Sequence, residues 1–437
     1  MTDHFISNTR ELLFNTIKKV EQCRSLFVLN PEKDFTRKRK INFNTFIKMT
    51  LGMAGGSLNK ELLDYFAFSV DAPGVSAYNQ QRAKVLPEAF EFLFHEFTSS
   101  ISLNKLFNGY RLLACDGSNL TIARNLNDTE TFVSKCNQFE GGVNRLHLNA
   151  FYDLINRIYV DAVIQPATLK NEYYACTQMI DRSRIEGKVI LTADRGYENY
   201  NIFAHAEEKG WKYAIRIKDK GSNGILLGFS ISEEGAFDKN ISLILTRSQS
   251  KSKKIAGYKF MPSCQKFDYI PVGSKIDYVL SFRVVRFLIA EDTYETIITN
   301  LETEEFSAER IKELYHLRWG IETSFRELKY AIGLTNFHLK KPNYIKQEIF
   351  ARLTLYNFCE SITTQVVINQ YKKSNIYQVN FTLAIYICRE YLKCKRNLSP
   401  PDIELLIQKN ILPVRPGRKD PRKVKVQKLV SFLYRVA

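Results

Sequence analysis

The sequence predicts an α/β protein: an α/β core interrupted by a β-rich insertion and bracketed by helical N-terminal and C-terminal regions. Three observations carry that reading. Two apolar, strand-like runs each end on an aspartate, a β-rich stretch with frequent turn residues follows them, and a long helical pattern with one charged stripe comes after that.

Residues 1–105 read as helical. FISNTRELLFNTIKKVEQC has helical spacing, NPEKDFTRKRK is a basic linker, and FNTFIKMTLG, SLNKELLDYFAF and SAYNQQRAKV are three short helices. Gly52, Gly55 and Gly56 punctuate the first break, and Pro73 and Gly74 the second. Three short helices behind a basic arm suit a helix-turn-helix DNA-binding region, with Ser76 as a cap and Asn79, Gln80 and Arg82 toward base edges. A helical cap on the next domain is an equal alternative. Arg37, Lys38, Arg39 and Lys40 are the more general DNA contacts.

Residues 106–218 read as the first part of the core. YRLLACDGSNLTIA, RLHLNAFYDL and RIYVDAVIQPA are strands, the last two joined through Asn156 and Arg157. KNEYYACTQMIDRSRI is a helix, KVILTADRGY a strand apolar on both faces, NIFAHAEEKG a helix and WKYAIRIK a fifth strand. Three strands followed by helix, strand, helix and strand is the order of a ribonuclease-H-like core. Residues 219–300 form the β-rich insertion, expected as a subdomain built on ISLILTRSQ, GYKFMPSC, IDYVLSFRVVRFLIA and YETIITNL. Residues 301–340 return to the core as one long helix, and 341–437 are helical with a basic tail from Arg415 to Lys428.

The bulk numbers set the partner class. The chain has 437 residues, enough for more than one domain, and 63 Lys and Arg against 46 Asp and Glu give a net charge of +17. Such an excess calls for a polyanionic partner, because neutralising phosphates releases counterions. No apolar run is long enough for a membrane span, and the N-terminus lacks a signal core, so the expected location is the cytoplasm. The eight cysteines show no Cys-x-x-Cys spacing and read as free thiols.

The chemistry gathers at three acids. Asp116 follows LLAC and Asp194 follows VILTA, so both belong at strand carboxyl ends, where open α/β sheets collect ligands. On the long helix, at about 100° per residue, Tyr315, Arg318, Glu322 and Lys329 share one stripe with Arg326 beside it. Leu314, Leu317, Ile321, Phe325, Leu328 and Ile332 form a separate apolar stripe for docking. Three carboxylates suit two Mg²⁺ ions acting on a phosphodiester, with the cationic side chains gripping flanking phosphates. His147, His205, His316 and His338 are scattered and suggest no metal site.

YHLRWGIETSFRELK contains Y-x-x-R-x-x-x-E-x-x-x-x-x-x-K at Tyr315, Arg318, Glu322 and Lys329. This resembles the signature of DDE transposases of the insertion-sequence-4 type, and DGS at Asp116 and DRGY at Asp194 resemble that family's first two acidic motifs. The resemblance spans roughly residues 35–340. It implies Asp116, Asp194 and Glu322 as catalytic metal ligands for two Mg²⁺ ions, with Mn²⁺ as a substitute. It implies cleavage at terminal inverted repeats followed by strand transfer, double-stranded DNA as partner and substrate, and a homodimer in the synaptic complex. Tyr315, Arg318, Lys329, Arg326, Arg195 and Tyr294 are then the candidate DNA contacts, Tyr294 by its position alone as a holder of a flipped base. A host nuclease of the same fold, or a silent DNA-binding derivative, are the alternatives.

Overall fold

The computed structural model describes residues 2–134, 141–229, 234–366, 376–393 and 402–414. The chain opens with helices α1 (Thr2–Gln22), α2 (Phe43–Gly52), α3 (Leu58–Tyr65), α4 (Val75–Arg82) and α5 (Glu88–Ser100). The core follows as β1 (Arg111–Ile122), β2 (Phe132–Val133), β3 (Val143–Asp153), β4 (Ile158–Pro166), α6 (Glu172–Arg182), β5 (Val189–Ala193), α7 (Tyr200–Glu208) and β6 (Lys212–Ile217). Next come β7 (Phe237–Thr246), α8 (Gln249–Lys254), β8 (Tyr258–Phe260), β9 (Asp277–Ala290) and β10 (Thr293–Thr299). Helices α9 (Ala308–Leu317), α10 (Trp319–Arg326), α11 (Pro342–Thr363), α12 (Phe381–Lys393) and α13 (Ile403–Lys409) complete the described chain, with a short antiparallel pair of β11 (Tyr377–Val379) and β12 (Ile411–Pro413) flanking the last two in sequence. The basic tail from Arg415 to Lys428, Cys136 and Cys394 lie outside the described residues.

Strands β1 to β10 make one mixed sheet in the order β2-β3-β1-β5-β6-β10-β9-β7-β8, with β4 on β3. β3 runs antiparallel to β1 and β4 antiparallel to β3, while β5 and β6 run parallel to β1. The parallel strands are joined by α6 and α7, which cover one face. β5 is buried along its whole length, as its unbroken apolar sequence requires.

Two expectations need correction. The strands of 219–300 form no sheet of their own: β10 pairs with β6 and β9 with β10, so the insertion extends the core sheet. Alternating, half-buried strands with a free core edge available bury more by continuing that sheet than by closing a second one. The long helix also departs from regularity. At Arg318 the backbone takes i→i+3 hydrogen bonds, Arg318 N to Tyr315 O and Ile321 N to Arg318 O, both 3.1 Å. Glu327–Ala331 is then a π-helical turn. These irregularities let one helical run serve two cores. Leu314 and Tyr315 pack with Val285, Phe287 and Ile297, whereas Ile321, Phe325, Leu328 and Ile332 pack with Leu146, Tyr152 and Ile349. Leu317, placed in the apolar stripe by ideal geometry, is 37% exposed at the junction.

The N-terminal region is a cap. α5 and α2 pack on α11, whose residues are buried nearly all round even though Gln347, Glu348, Arg352, Asn357 and Glu360 are among them. Arg82, offered above to base edges, is fully buried: its Nε donates to Gln347 Oε1 (3.0 Å) and Nη1 lies 3.0 Å from Glu348 Oε1. Gly74, not Ser76, is the N-cap of α4. Helix α5 was missed, although Phe90, Leu93, Phe94 and Phe97 stand at i, i+3, i+4 and i+7 and all are buried. Among the described residues no helix is long and apolar enough to cross a membrane. Cys115, Cys176, Cys359 and Cys388 are buried free thiols, but Cys264 is exposed.

Candidate active site

Asp116 and Asp194 are neighbours because their strands are. β1 and β5 are parallel with Cys115 opposite Ala193, so the next residue on each is an aspartate. Side chains alternate across a sheet. Leu112 and Ile190 face the cluster that holds Leu314 and Tyr315, so Asp116 and Asp194, an even number of residues on, project to the face covered by α9 and α10. The glycines of both motifs have a steric cause. A Cβ on Gly117 would lie 2.3 Å from His147 Nε2, and one on Gly196 would lie 2.8 Å from Asp194 Oδ1. Gly117 N donates to Asp116 Oδ1 and Gly196 N to Asp194 Oδ1, each at 2.7 Å, which orients both carboxylates.

Helix α10 packs across β1 and brings the third acid. Burial pushes the Asp116 carboxyl up to about 7, and the negative charges of Asp194 and Glu322 push the same way; the Gly117 amide and Arg318 oppose them. Arg318 is 2% exposed, and its Nη2 donates to Glu322 Oε1 at 3.0 Å. Tyr315 is buried with a hydroxyl that has no hydrogen-bond partner among the described residues. Its acidity is suppressed chiefly by burial, and Asp194 adds to the effect. Lys329 sits in the π turn, where burial lowers its pKa and Asp116 partly restores it. The structure therefore gathers Asp116, Asp194, Glu322, Tyr315, Arg318 and Lys329 into one electrostatic neighbourhood.

Arg195 and Arg326 are exposed, and neither has a hydrogen-bond or ion-pair partner among the described residues. Arg195 follows Asp194 directly, and Arg326 ends α10 one turn past Glu322. Tyr294 is not part of this group. It shares its sheet face with Thr296 and Ile298, opposite to the acids, and its ring is stacked 3.8 Å beneath the Arg286 guanidinium. Arg286 is itself held by Asp219 at 2.8 Å. This gives Tyr294 a packing role.

Two further contributions escaped the sequence. Arg216 follows Ile215, which pairs with Ala193, so it lies level with Asp194; it holds Glu295 at 3.2 Å and acts on Tyr315. An arginine inside the apolar strand WKYAIRIK was the available signal. Behind the helix, Arg157 donates to Glu327 Oε1 (3.3 Å) and Glu360 Oε1 (2.8 Å), and Tyr356 donates to Glu327 Oε2 (2.9 Å). Glu327 opens the π turn, so this network fixes where Lys329 emerges. Nothing local in the sequence joins residues so far apart.

Among the described residues no three Asp, Glu, His or Cys side chains already converge as a metal cage, and Glu322 is turned toward Arg318. The charge balance nevertheless suits a cation. Burial chiefly, with the charges of Asp194 and Glu322 adding to it, raises the Asp116 carboxyl to about 7, and a divalent ion beside it would offset that penalty. An all-oxygen donor set favours Mg²⁺ or Mn²⁺ over zinc.

Carboxylates ending adjacent parallel strands, a third on a helix laid across them and cationic side chains alongside define a site of the kind used by metal-dependent phosphodiester enzymes. The chain belongs to the transposase DDE domain family, which matches residues 107–358. A 57-residue stretch is 40% identical to the putative transposase InsL for insertion sequence element IS186A of Escherichia coli (strain K12), and equally to the transposase for insertion sequence element IS421 of Escherichia coli. That stretch covers 13% of this chain and only 15% of each relative. A solved structure titled as the cryo-EM structure of the piggyBac transposase synaptic complex with hairpin DNA is similar at a TM-score of 0.47 and 10% identity, over 95% of this chain and 87% of that one.

Proposed function

We propose that the chain is an insertion-sequence DNA transposase of the insertion-sequence-4 type, with a ribonuclease-H-like core. In this reading it binds terminal inverted repeats, cleaves the DNA there and joins the freed 3′ end to target DNA, working as a homodimer in the cytoplasm at the nucleoid. The observation that supports it best is geometric: Asp116 and Asp194 follow register partners on adjacent parallel strands, and α10, which carries Glu322, packs across the first of them.

Asp116, Asp194 and Glu322 would hold two Mg²⁺ ions, which supply activation of the attacking oxygen and stabilisation of the leaving one. The remaining work belongs to the chain. Arg318 and Lys329 neutralise phosphate oxygens next to the scissile bond and offset the repulsion between substrate and carboxylates. The Tyr315 hydroxyl, buried with no acceptor among the described residues, offers a hydrogen bond to a phosphate. Arg318 plays a second part by orienting the Glu322 carboxylate before substrate arrives. Water and then a DNA 3′-hydroxyl act as nucleophiles, so no covalent bond to protein is needed.

The test uses duplex DNA carrying the inverted repeats that flank the gene. Wild-type protein should nick it at the repeat end with Mg²⁺ and not with chelator. A protein that cleaves the ends and joins no 3′ end to target would instead be the host nuclease, and one that binds them without cleaving would be the silent derivative.

A further inference from the structure

The loop between α1 and α2 encloses a cavity of about 410 Å³ lined by Lys33, Phe35, Arg37, Arg39, Gln81 and Lys84, among others. That volume falls within the roughly 300–1,000 Å³ of ordinary ligand pockets. The loop is fixed, not draped. Leu29 N donates to Lys84 O and Leu86 N to Phe27 O, both at 2.9 Å, and Arg24 Nη1 donates to Phe35 O at 3.2 Å. Phe35 has a φ of 58°, a backbone region bulky residues rarely enter. That turn sets its ring against Phe43, 5.4 Å away in edge-to-face contact, with Asp34 before it buried and Thr36 after it exposed.

The charges sort themselves in a way the linear run of 37–40 does not suggest. Lys40 is used internally, its Nζ donating to Asp71 O at 2.7 Å. Lys33, Arg37 and Arg39 line the cavity and have no side-chain hydrogen bond or ion pair among the described residues. Lys84 is positioned by Gln81 Oε1 at 3.1 Å and lies over the Phe35 ring at 5.5 Å. Of the two acids in the lining, Asp34 is already engaged, accepting from Asn30 N at 2.9 Å. Four cations thus converge on a preformed hollow with Glu32 as the remaining counter-charge.

Building on the DNA-transposase reading, we propose that this cavity is a seat for the sugar-phosphate backbone of duplex DNA, separate from the carboxylate site. Arg37 and Arg39 grip one phosphodiester through their planar guanidinium groups, and Lys33 and Lys84 supply point charges to its neighbour. Gln81 is turned to Lys84 and the cations meet phosphate, so the seat fixes position without reading sequence.

The test measures binding of the full chain, in chelator, to a fluorescent 30-base-pair duplex of random sequence across a salt series. Wild type is compared with the double variants R37A/R39A and R37K/R39K. Neutralising two phosphate contacts should lower the slope of log affinity against log salt by about 2. The lysine pair should keep the slope and lose affinity about tenfold or less. Equal melting temperatures for the three proteins establish that folding is intact, as expected for exposed side chains. An unchanged slope and affinity in R37A/R39A overturns the proposal, as does saturation by inorganic phosphate alone without any effect on DNA binding. Failure here is distinct from failure of the transposase reading, since Mg²⁺-dependent end cleavage by wild type would still stand.

Discussion

Replacing Asp116 by Asn should stabilise the metal-free protein above neutral pH and erase its response to Mg²⁺. The folded carboxyl titrates near 7 and its ordinary value is 3.8, chiefly because burial and then Asp194 and Glu322 disfavour the charged form. In the unfolded chain the proton leaves near 3.8, and in the folded chain it stays until about 7. Between those values the folded state binds more protons, so raising the pH removes stability, and above 7 the loss is complete. At about 1.36 kcal/mol per pH unit the loss reaches roughly 4 kcal/mol. Asn keeps an oxygen for the Gly117 amide and carries no charge, so D116N escapes it. With about 2.1 cal/mol/K of unfolding entropy per residue over 437 residues, the gain corresponds to roughly 4 °C if the chain melts as one unit. Thermal unfolding in chelator at pH 5 and pH 8 measures it: the difference between D116N and wild type should be less than half as large at the lower pH as at the higher. Adding Mg²⁺ at pH 8 should raise the wild-type melting temperature and leave D116N in place. A difference that does not change with pH, or equal Mg²⁺ responses, would refute the reasoning.

Other perturbations test the parts. Gly117→Ala drives a methyl into His147, so overpacking of about 1–3 kcal/mol is expected in thermal unfolding, and a second change, His147→Ala, should recover part of it; additive losses would show the contact is unimportant. Arg82→Ala leaves Glu348 buried with one cation fewer and should destabilise by about 3–5 kcal/mol in denaturant titration while sequence preference on DNA stays the same. A changed base preference would restore the helix-turn-helix reading. Lys329→Ala should weaken binding to cleaved ends by about 1.5–3 kcal/mol with a shallower salt slope, read by fluorescence anisotropy. Affinity that stays level across the salt series would remove Lys329 from the phosphate contacts. Arg157→Ala should lower end cleavage through the π turn while leaving random-duplex affinity unchanged, and cleavage at the wild-type rate would sink that positioning role.

Much of this architecture was written in local pattern. β1, β3, β4, β5 and β6 are long apolar runs, and each was legible because burial on one or both faces imposes its own period. Asp116 and Asp194 stood out because an acid at the end of such a run is locally anomalous, and Glu322 because the charged stripe contradicts the apolar one beside it. What escaped was non-local. No short window shows that β10 pairs with β6, since either edge accepts a half-buried strand and the choice depends on what else is free. The 3₁₀ step at Arg318 and the π turn at Glu327–Ala331 escaped because they answer to two different cores, not to helix propensity. The assignment of Arg82 to base edges overreached for a related reason. Short helices with a basic residue look alike whether that residue meets DNA or, like Arg82, a buried glutamate contributed by α11.

The most direct test is Mg²⁺-dependent cleavage of the element's own ends by wild type and by D116N, D194N and E322Q, each first shown to bind those ends. All three substitutions should abolish nicking by at least two orders of magnitude while end affinity is retained. Wild-type cleavage by E322Q, with Glu322 folded on α10 against Arg318, would contradict a shared three-carboxylate site.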